Sequence, residues 1–181
     1  MFLIHCCIVS SLLFVVACTD AMEAPATTSQ SGSESGNTET FDEQVVLASI
    51  PDYADELIRI NREPRPSRHA LADTVNVWVA PEAADLYRSV NPDTEGITAD
   101  PFQAGTMLVK EHLSMDGSVV GLTVMVKADS GFDPDVADWW WARTNAAGVA
   151  VEKGNIGYCV DCHTPASSTD WVFGVPLDNR P

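Results

Sequence analysis

Gly105-Thr106-Met107-Leu108-Val109-Lys110-Glu111-His112-Leu113, then Ser114-Met115-Asp116-Gly117, then Ser118-Val119-Val120-Gly121-Leu122-Thr123-Val124-Met125-Val126-Lys127-Ala128: these residues decide the fold. The two outer runs are rich in Val, Leu, Met and Thr and read as strands. The four residues between them end in Asp-Gly, which accepts the positive φ of a tight reversal, so the unit is an antiparallel hairpin. Strand alternation puts Thr106, Leu108, Lys110 and His112 on one face of the first run.

Working outward from the hairpin, more strands appear. Upstream, Thr74-Val75-Asn76-Val77-Trp78-Val79 alternates and is β-branched, hence a strand. Pro81 opens a short helix through Leu86 and Tyr87, since Pro is tolerated in a first turn. Arg62 to Arg68 is basic and punctuated by Pro, a connector, and His69 beside it falls at the surface. Before it, Thr40-Phe41-Asp42-Glu43 has capping-box spacing, and a helical pattern with Tyr53, Leu57 and Ile60 on one side follows Pro51. Downstream, Trp139-Trp140-Trp141-Ala142-Arg143 and Val149-Ala150-Val151 flank Asn145-Ala146-Ala147-Gly148, a second hairpin. The alternating Trp residues place at least one in the core. Ile156 to His163 predicts one short helix before an irregular tail. The expected class is mainly β (α+β): an antiparallel sheet with a few short helices.

Composition sets the limits. Of 181 residues, 45% are hydrophobic and 20% charged, enough for one core. Twenty-six acids against ten bases give a net charge of −16. That field repels phosphate and anionic headgroups, which excludes nucleic acid and electrostatic membrane docking. Residues 1–17 contain no Asp, Glu, Lys or Arg, and Ile8 to Val16 is apolar but short for a permanent span. Val15-Val16-Ala17-Cys18 follows, in the manner of a bacterial lipobox. Residues 1–17 therefore read as a lipoprotein signal peptide. Thr19 to Gln44 is rich in Ser, Thr and Gly, with six acids and no base, so residues 18–40 read as a lipidated Cys18 and a flexible acidic tether. Residues 41–181 form the folded domain. The expected location is periplasmic or at the cell surface, on a bacterial membrane, held through the lipid alone.

Cysteine usage then points to chemistry. Cys6 and Cys7 leave with the signal and Cys18 takes the lipid. Cys159 and Cys162 remain, in Cys159-Val160-Asp161-Cys162-His163. Two thiols one helical turn apart can each add to a haem vinyl group, and the next residue brings an imidazole to the iron. A thioredoxin-like pair would follow a strand early in a βαβ unit. A zinc site would need two more ligands, and only His69 and His112 remain as His. The motif thus predicts one covalent haem c, with His163 as metal ligand. Its place near the end, with strands before it and no Met after it, departs from both small helical cytochromes and four-helix ones. The sixth iron position is open unless Met107, Met115, Met125 or His112 fills it.

In this order and spacing the residues resemble the cytochrome P-460 family, including cytochromes c′-beta. The match runs from about Asp73 to Phe173. It rests on Val77-Trp78-Val79-Ala80-Pro81, Gly105 to Glu111, Gly121 to Lys127, the Trp-rich strand, the Cys-x-x-Cys-His motif and Asp170-Trp171-Val172-Phe173. The resemblance implies an antiparallel haem protein, often a homodimer, with five-coordinate iron. It implies that Lys110 is the strand Lys that such proteins cross-link to the porphyrin ring. Such enzymes oxidise hydroxylamine, and often nitric oxide, and pass electrons to a soluble c-type cytochrome; cytochromes c′-beta bind nitric oxide without that turnover. Two positions depart from the oxidising pattern: Thr123 stands where a distal carboxylate is expected and Val75 where an Arg is. Thr can hydrogen-bond a ligand but is a poor base, and general-base help is worth about 10²–10⁴-fold.

Three functions therefore compete. The leading one is an oxidoreductase of hydroxylamine or a related nitrogen compound, using Lys110 and Thr123. The second is a gas-binding protein. The third is a tethered electron carrier with Met107 or His112 as sixth ligand.

Overall fold

A computed structural model describes residues 40–69, 72–90 and 100–181. The signal segment, Cys18 and nearly all of the expected tether lie outside these residues. The chain opens with α1 (Glu43–Ser49), a 3-10 turn (Ile50–Asp52) and α2 (Tyr53–Glu56). Short β1 (Ile58–Arg59) and β2 (Arg65–Pro66) lead into β3 (Thr74–Val79). A 3-10 turn at Pro81 runs into α3 (Ala84–Ser89). Then come β4 (Met107–Leu113), β5 (Val119–Lys127), β6 (Trp139–Asn145) and β7 (Ala150–Gly154), and finally α4 (Gly157–His163) with a 3-10 tail over Thr164–Thr169. Among the described residues no helix is long and apolar enough to cross a membrane.

The seven strands of the described residues form one antiparallel sheet, ordered β1-β3-β4-β5-β6-β7, with β2 beside β1 on the same edge of β3. Both hairpins close as the sequence predicts: Gly117 (φ +82°) donates to the Ser114 carbonyl, and Gly148 (φ +77°) to that of Asn145. The ends differ in detail. Asp42, rather than Thr40, caps α1, accepting from the Gln44 amide at 2.8 Å. The helical pattern after Pro51 stops at Glu56, because Leu57 turns extended and the next two residues pair with β3. The basic connector is not free loop, since Arg65 pairs with Val75.

Register sorts side chains to two faces. Lys110 stands opposite Val77 on β3 and Thr123 on β5, and Thr123 stands opposite Arg143 on β6. Their face, the front, carries Val77, Leu108, Met125 and Trp141 in one buried cluster with Cys159, Trp171 and Val172. The back carries Val109, Leu122, Val124, Val126, Trp140 and Ala142, covered by Phe41, Ile50, Tyr53 and Leu57. All three tryptophans of β6 are buried, and alternation sends Trp139 and Trp141 forward and Trp140 back. Glu111 is buried on the back with no cation beside it among the described residues; the Tyr53 hydroxyl and the Asn76 amide (2.6 Å) donate to its carboxylate.

Candidate functional site

Helix α4 is short and held from outside itself. Cys159 is buried, Cys162 exposed and His163 buried. The two thiols are not joined to each other. His163 Nδ1 lies 2.6 Å from the Trp171 carbonyl oxygen. Since a carbonyl only accepts, Nδ1 carries the proton, and Nε2 keeps its lone pair for a metal. Burial pushes the ring down to about 4, against the raising effect of that carbonyl, so it is neutral at physiological pH. The Phe173 ring packs edge-on against it at 5.1 Å.

Between α4 with its tail and the front of the sheet lies a cavity of about 860 Å³. Val77, Leu108, Met125 and Trp141 form its apolar wall. Lys110, Thr123, Cys159, Cys162 and His163, dispersed through the sequence, all line it. Lys110 is accessible only in part, from the cavity side; burial brings its amine down to about 8, with Cys162 and Cys159 opposing the shift and Arg65 and Arg68 adding to it. Its Nζ lies 3.4 Å from His69 Nε2. His69 is thus drawn into the cavity wall rather than left on the surface, and burial followed by the Lys110 charge holds it at about 4. Its ring meets that of His112 at 5.0 Å.

His112 is fully buried behind this wall. Its Nε2 lies 3.1 Å from the Thr123 hydroxyl, and its Nδ1 has no partner among the described residues. An orphaned buried N–H is rarer than an orphaned lone pair, so the proton belongs on Nε2, which donates to Thr123 Oγ1. The Thr123 O–H is then free to donate into the cavity. Met107, by contrast, points to the back and packs with that cluster. Met115, at the hairpin tip, is almost fully exposed.

These residues fit a haem. The thiols are spaced for two vinyl groups, the imidazole presents one lone pair, and the cavity lies within the range for bound cofactors. Among the described residues Arg65, Arg68, Lys110 and Arg143 line it against the single acid Glu152, which suits a ring bearing two carboxylates, in a chain whose net charge is −16. Comparison with protein families matches cytochrome P-460 over residues 51–174, more than half of the chain. The chain belongs to the cytochrome P-460 family. Its members are c-type haem proteins linked to nitrogen-compound metabolism, and the family includes a Lys cross-link to the haem. A comparison with curated proteins gave no match.

Among cytochrome P-460 residues, those legible beforehand are the ones the cavity gathers: Lys110, Thr123, Cys159, Cys162 and His163. Val75 lines it too, opposite His112 in register. His69 was missed as a site residue because its contact with Lys110 spans 41 positions through an irregular segment. The signal that could have found it is modest: a His next to Arg in a chain with only four His.

Proposed function

We propose that this protein is a lipid-anchored periplasmic haem c oxidoreductase. It acts on hydroxylamine or a related nitrogen compound such as nitric oxide and delivers electrons to a soluble c-type cytochrome. The observation that carries this reading is the Lys110 amine, held in the same cavity as Cys159, Cys162 and His163 with its pKa lowered. Desolvation leaves a larger share of it as the free, nucleophilic amine, the form that ring attachment requires. Cys159 and Cys162 would hold the haem by thioether bonds and His163 Nε2 would ligate the iron. The haem, when bound, supplies an exchangeable coordination position and a centre that takes up one electron at a time. Thr123 orients a small polar ligand by donating its hydroxyl, with His112 fixing that hydroxyl from behind. The apolar wall excludes bulk water, which strengthens that single hydrogen bond.

A second reading, gas binding without turnover, is favoured by one observation: Thr123, with no carboxylate, is what the wall offers beside Lys110. His112, held at about 3, and His69, at about 4, are weak proton acceptors. Mass spectrometry of the digested holoprotein separates the two. A haem peptide joined to the Lys110 peptide is expected; haem on the Cys159–Cys162 peptide alone supports gas binding. A low-spin six-coordinate resting spectrum would instead support the electron carrier, with a second ligand from the chain, and absence of covalent haem would sink all three.

A further inference from the structure

The tail beyond α4 bends sharply where its 3-10 turn ends, the Trp171 amide donating back to the Ala166 carbonyl at 2.8 Å and the Val172 amide to that of Thr169 at 3.1 Å. Asp170 (φ +50°) and Trp171 (φ +65°) are both left-handed, a conformation that is uncommon outside Gly and Asn and strained for a bulky side chain. Such strain persists only where the surroundings over-determine it, and here they do. Both Asp170 carboxylate oxygens accept from Lys127 Nζ, at 2.7 and 2.8 Å. The Phe102 amide donates to Oδ2 at 2.7 Å, and Trp139 Nε1 donates to the Asp170 carbonyl at 2.8 Å. Lys127, the last residue of β5, also sits over the Trp139 ring at 4.9 Å. Lys127 and Asp170 are both buried. The carbonyl of the very next residue, Trp171, is the one that accepts from His163 Nδ1.

We infer that Lys127 and Asp170 are positioning residues for the axial ligand: their ion pair clamps the left-handed turn and thereby aims the Trp171 carbonyl at His163. The inference rests on the reading of His163 as the iron ligand. A carbonyl held close to Nδ1–H draws the proton and raises the basicity of Nε2. A more basic imidazole binds iron more strongly and favours the ferric form. The sheet, through Lys127, thus sets the donor strength of a ligand carried on α4.

The experiment uses the purified holoprotein and two readouts other than turnover: the iron–histidine stretching band of the ferrous state and the midpoint potential. Asp170→Asn and Lys127→Met are expected to move the band to lower wavenumber and the potential to more positive values. Lys127→Arg, which keeps the charge, is expected to stay near the wild type. Asp170→Asn keeps the size, keeps an oxygen for the Phe102 amide and tolerates the left-handed backbone, so it reports even if Lys127→Met does not fold. If both readouts stay at wild-type values in folded Asp170→Asn while only the unfolding temperature falls, the pair is a structural staple and the inference is overturned. Absence of an iron–histidine band from a wild type whose ferrous spectrum is five-coordinate would remove the reading of His163 and this inference together.

Discussion

At the scale of single residues, the site depends on a hydroxyl with a histidine behind it. Thr123→Val keeps the shape but leaves His112 Nε2 without a partner, a loss of about 1–3 kcal/mol for a buried group. It also removes the donor facing the cavity, so the N–O stretch of a nitric oxide adduct should shift as well; stability and vibration both unchanged would refute the assigned hydrogen bond. His112 makes a pH prediction of definite sign. Burial first, then the charges of His69 and Lys110, hold it at about 3 against an ordinary 6.5. Between those values the unfolded chain binds a proton that the folded chain does not. Stability is therefore complete above pH 6.5 and falls as the pH drops toward 3, by up to about 1.4 kcal/mol per pH unit for this group. His112→Gln should flatten that part of the profile in denaturant titrations; an unchanged slope would show that His112 is not the group responsible. Lys110 and His112 were readable on one strand face from alternation alone. That Thr123 faces them needed the register of the next strand.

At the scale of elements, the hairpins and the β-branched strands were legible because their signals are local, but the irregularities that shape the sheet were not. Gly121 shows why. It pairs with His112 on β4 and Asn145 on β6; the β4–β5 register shifts one step away, at His112/Leu113, and the β6–β7 register shifts at Arg143/Thr144, while β5–β6 runs unbroken between them. A Cβ added there would lie 2.7 Å from the Thr144 carbonyl oxygen, so backbone must yield. Overpacking of this kind costs about 1–3 kcal/mol. Gly121→Ala should lower the denaturant midpoint accordingly, and it should perturb His112 and Thr123, which flank it. A neutral substitution would mean the β5–β6 spacing is looser than it stands. Nothing near Gly121 in the sequence announces two bulges, because each arises from pairing across strands. The left-handed turn at Asp170 was hidden for the same reason: its supports come from Phe102, Lys127 and Trp139.

At the scale of the whole molecule, one sheet serves two cores of unequal completeness. The back core is closed by protein alone, with Phe41 against Trp140 at 5.8 Å and its amide on Asp129 at 2.6 Å. The front core surrounds a cavity of about 860 Å³ walled by Val77, Leu108, Met125 and Trp141. Apolar walls that face a void or water forgo both burial and dispersion contacts. The haem is thus the expected missing part of the front core, and its covalent attachment should link cofactor loading to stability. Chain produced without haem attachment keeps every residue and every back contact, so the comparison isolates the front. Losing the equivalent of one or two core side chains, about 3 kcal/mol or more, would lower the unfolding temperature by about 10 °C or more in a domain of this size. The loss should also be uneven. Amide exchange should quicken in α4 and in Thr164–Thr169, while the central β5–β6 ladder, buried from behind by Trp140 and Val124, stays protected. Equal melting with and without haem would mean the front closes on itself and the cavity is not a cofactor site. Uniform loosening of both faces would mean the two cores are one cooperative unit.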